Sequence, residues 1–253
     1  MGQLSSSRLE GLVAAMIVLD NVSLRAGAFR LEGIHLLVPA GEYGILMGKT
    51  GAGKTSLLEA IIGFQPVVAG SICLAGRDVT QLNPAVRGIG YLPQDGALFS
   101  TLTVEENLAF ALKIRRVDKK RIASRVRDLA ELMGIGQLLK RQTYGLSGGE
   151  RQRVALGRAM AFEPRILCLD EPLSALDSET REQILQLLMT IKRMNKVTIL
   201  HVTHNLGEAK LLADKIFRLV NGKIDVSDIV GNCRTSSDMM EATELGPQTV
   251  RYM

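Results

Sequence analysis

Apolar and polar positions change their period along the chain, and these changes predict a mixed α/β fold. Between residues 16 and 43, apolar and polar side chains alternate in short runs that glycine and proline punctuate. Such alternation is typical of half-buried strands, so we expect an antiparallel β layer there. Residues 44–47 and 166–169 form short continuous apolar runs, which predict buried strands.

Helical periods follow these buried runs. One helical face collects the apolar side chains of Leu57, Leu58, Ile61 and Ile62, and Gly63 supplies a stop signal. A further helix is predicted from about residue 178 to residue 194, and a β-rich run follows at residues 197–202. Because strands and helices alternate, we expect a parallel sheet, with a final hairpin over residues 216–226.

A helical segment interrupts this alternation between residues 103 and 160. Thr103 and Glu106 have the spacing of a capping box that opens one helix, and Gly134 or Gly136 is expected to break another. The sequence therefore predicts a helical subdomain that is inserted into an α/β core.

The composition limits the classes of protein that the chain can be. Its 253 residues carry a net charge of +5, and the apolar run at residues 12–19 stops at Asp20, well short of the roughly 20 residues of a membrane span. Only 4% of the residues are aromatic and Trp is absent, which leaves few stacking platforms for single-stranded nucleic acid. The basic cluster at residues 113–121 is interpreted as the solvated face of a helix.

Three cysteines without C-x-x-C spacing favour a reduced cytoplasmic compartment over a disulfide or zinc framework. They are Cys73, Cys168 and Cys233.

Residues 48–55 read GKTGAGKT, between a predicted strand and a predicted helix, which is the context of a phosphate-binding P-loop. Glycines let backbone N–H groups face phosphate oxygens, Lys54 neutralises phosphate charge, and Thr55 offers a hydroxyl to Mg²⁺. Lys49 is either a further cation near the phosphates or a solvated lysine at the edge of the loop. The predicted nucleotide contacts here are Gly48, Lys49, Thr50, Gly51, Ala52, Gly53, Lys54, Thr55 and Ser56.

Two carboxylates follow the apolar run at residues 166–169. Asp170 is predicted to hold Mg²⁺, directly or through water, and Glu171 to polarise the water that attacks the phosphate. His204 follows another apolar run, where the carboxyl end of a strand would place it near the γ-phosphate. His201, three residues earlier, is expected to pack within the fold.

A second phosphate-binding helix start lies at residues 146–150, which read LSGGE. A Ser and two glycines ahead of an apolar-periodic segment indicate a helix N-terminus, whose free N–H groups suit an anion. Two arrangements follow from the residues. Either both helix starts bind one nucleotide within one chain, or each binds the nucleotide that another copy holds.

These motifs, taken in order, resemble those of the ATPase subunit of ABC transporters over about residues 16–226. The set comprises the P-loop, Gln94, residues 146–150 with Gln152, the carboxylates Asp170 and Glu171, residues 174–177, and His204. The resemblance implies that Gln94 links Mg²⁺ and water to a transmembrane partner, that Asp177 lies at a dimer interface and that His204 clamps the γ-phosphate. It also implies that Ser147 and Gly149, with Gly148 between them, reach the nucleotide of the other protomer.

The expected fold is therefore α/β, with a P-loop NTPase (RecA-like) core, an N-terminal antiparallel β subdomain and an inserted α-helical subdomain. The expected parts are an N-terminal extension (1–15), the core (16–93 and 161–226), the helical subdomain with the signature motif (94–160) and a C-terminal tail (227–253).

Finer wording of the motifs at residues 88–95 and 146–153 is similar to importer ATPases, and residues 25–31 resemble the molybdate and tungstate branch. Too few residues follow the core for the β-rich regulatory domain that such importers often carry. The aromatic residue that usually stacks on adenine is also displaced, so either Phe29 or the plane of Arg25 is the candidate.

The resemblance implies an ATP- and Mg²⁺-dependent ATPase that works as an ATP-sandwiched homodimer. Its expected partners are integral membrane permease subunits and, indirectly, a solute-binding protein, at the cytoplasmic face of the cell membrane. A small solute such as an oxyanion is the expected cargo, and no nucleic acid is expected. The alternatives are a soluble ABC ATPase that acts on nucleic acid or ribosomes, and an exporter subunit.

Overall fold

A computed structural model describes residues 15–27 and 29–228 of the chain. Alternating apolar side chains build an antiparallel sheet from β1 (Ala15–Ala26), β2 (Phe29–Pro39), β4 (Val67–Leu74) and β5 (Arg77–Asp78). Its strand order is β2-β1-β4-β5, and every neighbouring pair is antiparallel. The antiparallel layer predicted before residue 43 is thus confirmed. Strands β4 and β5 carry little alternation of burial, and the sequence pattern did not predict them.

The second sheet has six strands in the order β10-β9-β3-β8-β7-β6. Its members are β3 (Tyr43–Gly48), β6 (Ile89–Leu92), β7 (Ile166–Asp170), β8 (Thr198–Val202), β9 (Lys215–Val220) and β10 (Lys223–Asp228). All pairs are parallel except the hairpin of β9 and β10. The parallel sheet and the final hairpin are confirmed, and the carboxyl ends of the parallel strands share one edge.

Six α-helices accompany the sheets in the described part of the chain. They are α1 (Lys54–Ile62), α2 (Val104–Ile114), α3 (Lys119–Met133), α4 (Gly148–Met160), α5 (Ser178–Arg193) and α6 (Leu206–Leu212). Thr103 and Glu106 form the predicted capping box, and Gly134, in the left-handed conformation, ends α3. Helices α2, α3 and α4 fill the predicted helical insertion. None of the described helices has both the length and the apolar character that a bilayer crossing requires.

Three expectations need adjustment. Strand β1 includes Ala15, and β10 continues to Asp228, so regular structure extends slightly into the expected N-terminal extension and C-terminal tail. Residues 1–14 and 229–253, with Cys233, lie outside the described residues. The basic cluster at residues 113–121 is not one helical face, because α2 ends at Ile114 and Arg116 adopts a positive φ of 55° before α3 begins.

Apolar residues form two cores, one on each face of the parallel sheet. One lies under the β layer and α1 and includes Leu46, Leu57 and Leu200. The other lies under the helical insertion and α5 and includes Leu108, Leu156 and Leu188. The sheet is therefore covered on both faces, which is the usual setting of parallel strands.

A buried arginine closes the end of α1. Arg87 is 8% exposed, and its guanidinium donates to the carbonyl oxygens of Ala60 (2.8 Å) and Ile61 (2.9 Å) in the last turn of the helix. It also donates to the backbone carbonyl oxygens of Leu82 and Thr80 in the loop after β5. Helix-end carbonyls have no partner within the helix, so this one side chain satisfies them and ties α1 to the chain that leads into β6.

We expect Arg87→Ala to lower the free energy of unfolding by about 3 kcal/mol, because buried carbonyls lose charge-assisted hydrogen bonds. Urea denaturation of the purified protein would measure it. Arg77→Ala, at an exposed position on β5, is the control and should change stability by no more than about 0.5 kcal/mol. Equal effects of the two substitutions would contradict the assignment of Arg87 as a helix-end anchor.

Candidate functional site

The P-loop is folded around its own lysine. Gly51 and Gly53 take positive φ values of 79° and 97°, conformations that favour glycine. Lys54 is 6% exposed, and its ammonium donates to the carbonyl oxygens of Gly48 (3.0 Å) and Lys49 (3.1 Å). The glycine-rich loop and the start of α1 suit an anion, and phosphate binding there stays a prediction.

A cavity of about 990 Å³ opens beside this loop. Its walls include P-loop residues 48–52, Phe29 on β2, His204 after β8, and residues 218–222 of the β9–β10 hairpin. Lys49 is exposed at its rim. This volume accommodates a nucleotide, and Lys49, Thr50 and His204 supply polar groups to the wall that phosphates would face.

The two candidates for adenine stacking lie in different places. The Phe29 ring packs so closely on Gly53 that a side chain at that glycine would collide with it. Among the described residues, Phe29 lines the cavity and Arg25 does not; the Arg25 carbonyl instead accepts from the Gln65 side chain (2.8 Å). The geometry therefore favours Phe29 over Arg25 as the stacking residue.

Strand β7 brings a carboxylate to the P-loop helix. The Thr55 hydroxyl donates to an Asp170 carboxylate oxygen over 3.2 Å. Asp170 is 3% exposed, and burial raises the pKa of its carboxyl. A hydroxyl and a carboxylate side by side, next to phosphate, are the oxygen ligands that Mg²⁺ takes in nucleotide sites, so these residues fit the predicted ion.

Glu171 and His204 meet at the carboxyl edge of the sheet. The His204 Nδ1 atom lies 3.2 Å from a Glu171 carboxylate oxygen. Glu171 has a positive φ of 41°, and its backbone N–H donates to the Val202 carbonyl oxygen of the neighbouring strand over 2.9 Å. Hydrogen bonding between β7 and β8 therefore aims the carboxylate and the imidazole at one point.

Ser147 begins α4 with a capping box. Its hydroxyl accepts from the Glu150 amide (3.2 Å), and its own amide donates to the Glu150 carboxylate (2.8 Å). Ser147 and Gly148 are exposed, whereas Gly149 is buried against Thr180 of α5. Within the described residues, the lining of the P-loop cavity includes none of these three signature residues.

Asp177 is exposed, and its carboxylate caps α5 by accepting from the Thr180 amide (2.9 Å). This hydrogen bond lowers the pKa of Asp177. The same threonine packs against Gly149, so the predicted interface residue and the signature helix share one neighbour.

Helix α4 also supports the loop that carries Gln94. Gln94 itself is exposed and follows β6. The Arg158 guanidinium donates to the Ala97 carbonyl (2.6 Å) and lies over the Phe99 ring at 5.1 Å. The Gln152 side chain donates to the Pro172 carbonyl beside Glu171 (2.6 Å). One helix thus contacts the Gln94 loop and the segment after Glu171. No sequence pattern indicated the contact that Arg158 makes.

A buried network of polar side chains supports the loop that carries His204. The Tyr43 hydroxyl lies 2.9 Å from His201 Nδ1, and His201 Nε2 lies 3.7 Å from a Glu208 carboxylate oxygen. The Thr203 hydroxyl donates to that same oxygen over 2.6 Å and accepts from the Asn205 amide over 3.0 Å. Thr203 and Asn205 flank His204, so this network fixes the loop on which His204 stands.

Burial decides the charge state of His201 in this network. The residue is fully buried, as the sequence predicted, and burial lowers its pKa to about 3. Burial raises the pKa of Glu208, which the sequence did not single out. A neutral imidazole between a phenol and a carboxyl group is the consequence.

Comparison with known proteins identifies the family. A model of the family described as ABC transporter matches residues 31–174. The chain belongs to the ABC transporter family. The predicted resemblance is thereby confirmed.

Relatives within the ABC transporter family agree with this assignment. The chain is 43% identical to the molybdate/tungstate import ATP-binding protein WtpC of Thermococcus kodakarensis, over 83% of this chain and 63% of the relative. It thus spans less than two thirds of that protein. It is 37% identical to the spermidine/putrescine import ATP-binding protein PotA of Chromobacterium violaceum, over 93% of this chain and 70% of the relative.

The fold matches a solved ABC structure, described as a dimeric post-hydrolysis state of an ATP-binding cassette bound to ADP and phosphate. The TM-score is 0.76 at 27% identity, with 86% of this chain and all of that chain covered. The predicted P-loop NTPase fold with its β and helical subdomains is confirmed.

We expect the neutral, buried His201 to make stability sensitive to acid. Below about pH 6.5 this histidine is protonated in the unfolded chain, whereas in the folded chain it stays neutral down to about pH 3. Stability is therefore complete above pH 6.5 and falls by about 1.4 kcal/mol per pH unit as the pH drops through this window. Urea denaturation at pH 6.5, 5.5 and 4.5, taken as about even steps across this window, measures the slope.

His201→Gln should remove this part of the slope. His35→Gln, which replaces an exposed imidazole on β2, is the matched control. A His201→Gln protein that loses stability with acid as steeply as the unaltered chain would contradict the assignment.

Proposed function

We propose that this chain is the ATP-hydrolysing subunit of a membrane importer and works as a homodimer that closes around two ATP molecules. The observation that carries the proposal is the division of the site. Thr55 contacts Asp170 and Glu171 contacts His204 at one sheet edge, whereas among the described residues no hydrogen bond joins the exposed start of α4 to any of these side chains. One chain thus presents a nucleotide pocket and, separately, an anion-binding helix start.

The contacts support the following roles within one chain. Lys54 and the loop amides bind the β- and γ-phosphates and neutralise charge as it shifts during phosphoryl transfer. Glu171 orients the attacking water and accepts its proton, and His204, at 3.2 Å from Glu171, holds the γ-phosphate side of the pocket. Mg²⁺ held near Thr55 and Asp170 would supply further charge neutralisation on the phosphates.

The second half of each site comes from the other copy. Ser147 and Gly148 lie exposed at the start of α4, with Gly149 buried behind them, and a partner's γ-phosphate would meet them at the positive end of the helix. Asp177 is exposed at the start of the adjacent helix, where two such chains would face each other. Hydrolysis then removes the phosphate that joins the two copies, and the dimer opens.

An exposed aromatic surface is the proposed contact with a membrane permease. Phe99 is 39% exposed and Tyr144 is 92% exposed. The two lie close together, because the Thr143 hydroxyl donates to the Phe99 carbonyl (3.3 Å). Gln94 precedes this surface in the same loop, so Gln94 would report the state of the nucleotide to the partner.

The cargo is proposed to be a small solute, and an oxyanion is the preferred class. The molybdate/tungstate importer relative supports an oxyanion as the cargo. The spermidine/putrescine importer relative supports import but not an oxyanion. The chain would act peripherally, at the cytoplasmic face of the membrane, with permease subunits and, through them, a solute-binding protein.

We expect Glu171→Gln to bind ATP, to hydrolyse it at least about 100-fold more slowly, and to accumulate as a dimer, because loss of the base blocks the step that reopens the site. Size-exclusion chromatography with ATP and Mg²⁺ measures the dimer, and phosphate release measures the rate. Glu131→Gln, on α3 and exposed, is the control and should remain monomeric at the same protein concentration.

The double variant Glu171→Gln with Ser147→Arg separates the two halves of the site. It should still bind ATP at the P-loop but fail to dimerise, since the arginine blocks the exposed helix start. A Glu171→Gln protein that stays monomeric with saturating ATP, or a double variant that dimerises normally, would refute the two-chain site.

A further inference from the structure

The positive charge of the chain is concentrated in one segment. Residues 113–127, here called the basic segment, contain eight Lys or Arg residues and one acidic residue, a net charge of +7. The whole chain carries +5, so everything outside the basic segment sums to −2. The segment links the last turn of α2 to the first half of α3.

Most of these cations are exposed to an external partner. Seven of the eight are exposed, namely Lys113, Arg115, Arg116, Lys119, Lys120, Arg121 and Arg127. In the described parts of the chain, the eighth, Arg125, is the single member of the segment with an ion pair, to Glu163 at 3.5 Å. Asp118 caps α3, where its carboxylate accepts from the amides of Lys120 and Arg121. The one carboxylate of the basic segment thus accepts hydrogen bonds from the backbone of α3.

The basic segment continues the surface that is proposed to face the membrane partner. Phe110 stacks on Phe99 with ring centroids 4.2 Å apart, and Ile114 lies one helical turn beyond Phe110 on α2. Ile114 is 64% exposed among the cations. At the other side, the Arg115 guanidinium lies over the Phe162 ring at 4.0 Å, which holds the segment against the end of α4.

We propose that the basic segment binds the headgroups of anionic phospholipids at the membrane surface. The proposal rests on the proposed function, which brings this face to a membrane. Each Lys or Arg near an anionic leaflet adds to binding, and an exposed Ile between cations can enter the headgroup layer.

Two other partners, a permease surface and single-stranded RNA, fit the basic segment less well. Cytoplasmic loops of membrane proteins are themselves rich in Lys and Arg, so a permease surface would repel the basic segment. Single-stranded RNA would need aromatic stacking platforms, and residues 113–127 contain no aromatic residue. Anionic lipid matches both the charge and the exposed apolar side chain.

The test is sedimentation of the full chain with lipid vesicles. Vesicles of phosphatidylcholine mixed with phosphatidylglycerol should bind the protein, and vesicles of phosphatidylcholine alone should not. Binding should fall steeply as salt rises from about 0.1 M to about 1 M, since the Debye length shrinks from about 10 Å to about 3 Å. Equal binding to both vesicle types, or binding that ignores salt, would overturn the proposal.

Lys119→Glu with Lys120→Glu is the decisive variant. Acidic residues favour the first turn of a helix, so α3 should remain folded. Each cation contributes about fivefold in affinity, so reversal of two should weaken binding to anionic vesicles by at least about 25-fold. Arg77→Glu with Lys196→Glu changes the net charge equally at exposed positions elsewhere and should weaken binding no more than about threefold.

Two results would reject a lipid role for the segment. Equal losses in both double variants would assign the binding to net charge alone. Tighter binding of the unaltered chain to single-stranded RNA than to anionic vesicles, at one salt concentration, would assign the segment to nucleic acid.

ATP-dependent dimerisation of Glu171→Gln separates this proposal from the proposed function. If the vesicle test fails while ATP-dependent dimerisation of Glu171→Gln succeeds, the lipid proposal alone is wrong. If the chain binds anionic vesicles but Glu171→Gln never dimerises, the proposed function is wrong and the lipid contact stands.

Discussion

The parallel pairing of β3, β8 and β7 is the constraint on which the rest of the structure depends. Hydrogen bonding in this register ends all three strands at one edge, where Leu46, Val202 and Asp170 lie side by side and β3 runs two residues further to Gly48. Loops that leave this edge carry the P-loop, Glu171 and His204. Residues far apart in sequence are therefore brought into contact at this edge, and a shift of register would separate them.

Helix α4 connects this site to two other parts of the chain, the exposed Ser147 and the Gln94 loop. Its first residue, Gly148, follows the exposed cap Ser147; near its middle Gln152 binds the segment after Glu171; near its end Arg158 holds the Gln94 loop. Since a helix transmits displacement along its length with little bending, a change at one of these contacts is felt at the others. In the proposed function, nucleotide, partner copy and membrane partner would thus all act on a single rigid element.

The sequence was informative wherever chemistry is local. A P-loop, a capping box or a carboxylate after a buried strand depends on neighbours in the chain, and the fold agrees with each. It failed where the determinant is tertiary: β4 is half exposed and is defined by its pairing with β1, and the contact of His201 with Tyr43 joins residues 158 positions apart. The basic cluster at residues 113–121 was wrongly interpreted as one helical face, because Arg116, with its positive φ, lies in the break between α2 and α3.

Glu171 occupies a backbone conformation that its side chain does not prefer. At a φ of 41°, a residue with a Cβ atom carries a strain of about 1 kcal/mol that glycine would avoid. Selection for folding alone would therefore replace this carboxylate, and the β7–β8 hydrogen bond to Val202 holds the strained turn in place. Glycine at position 171 would relieve this strain but would remove the proposed base, so the carboxylate is kept at a cost in stability.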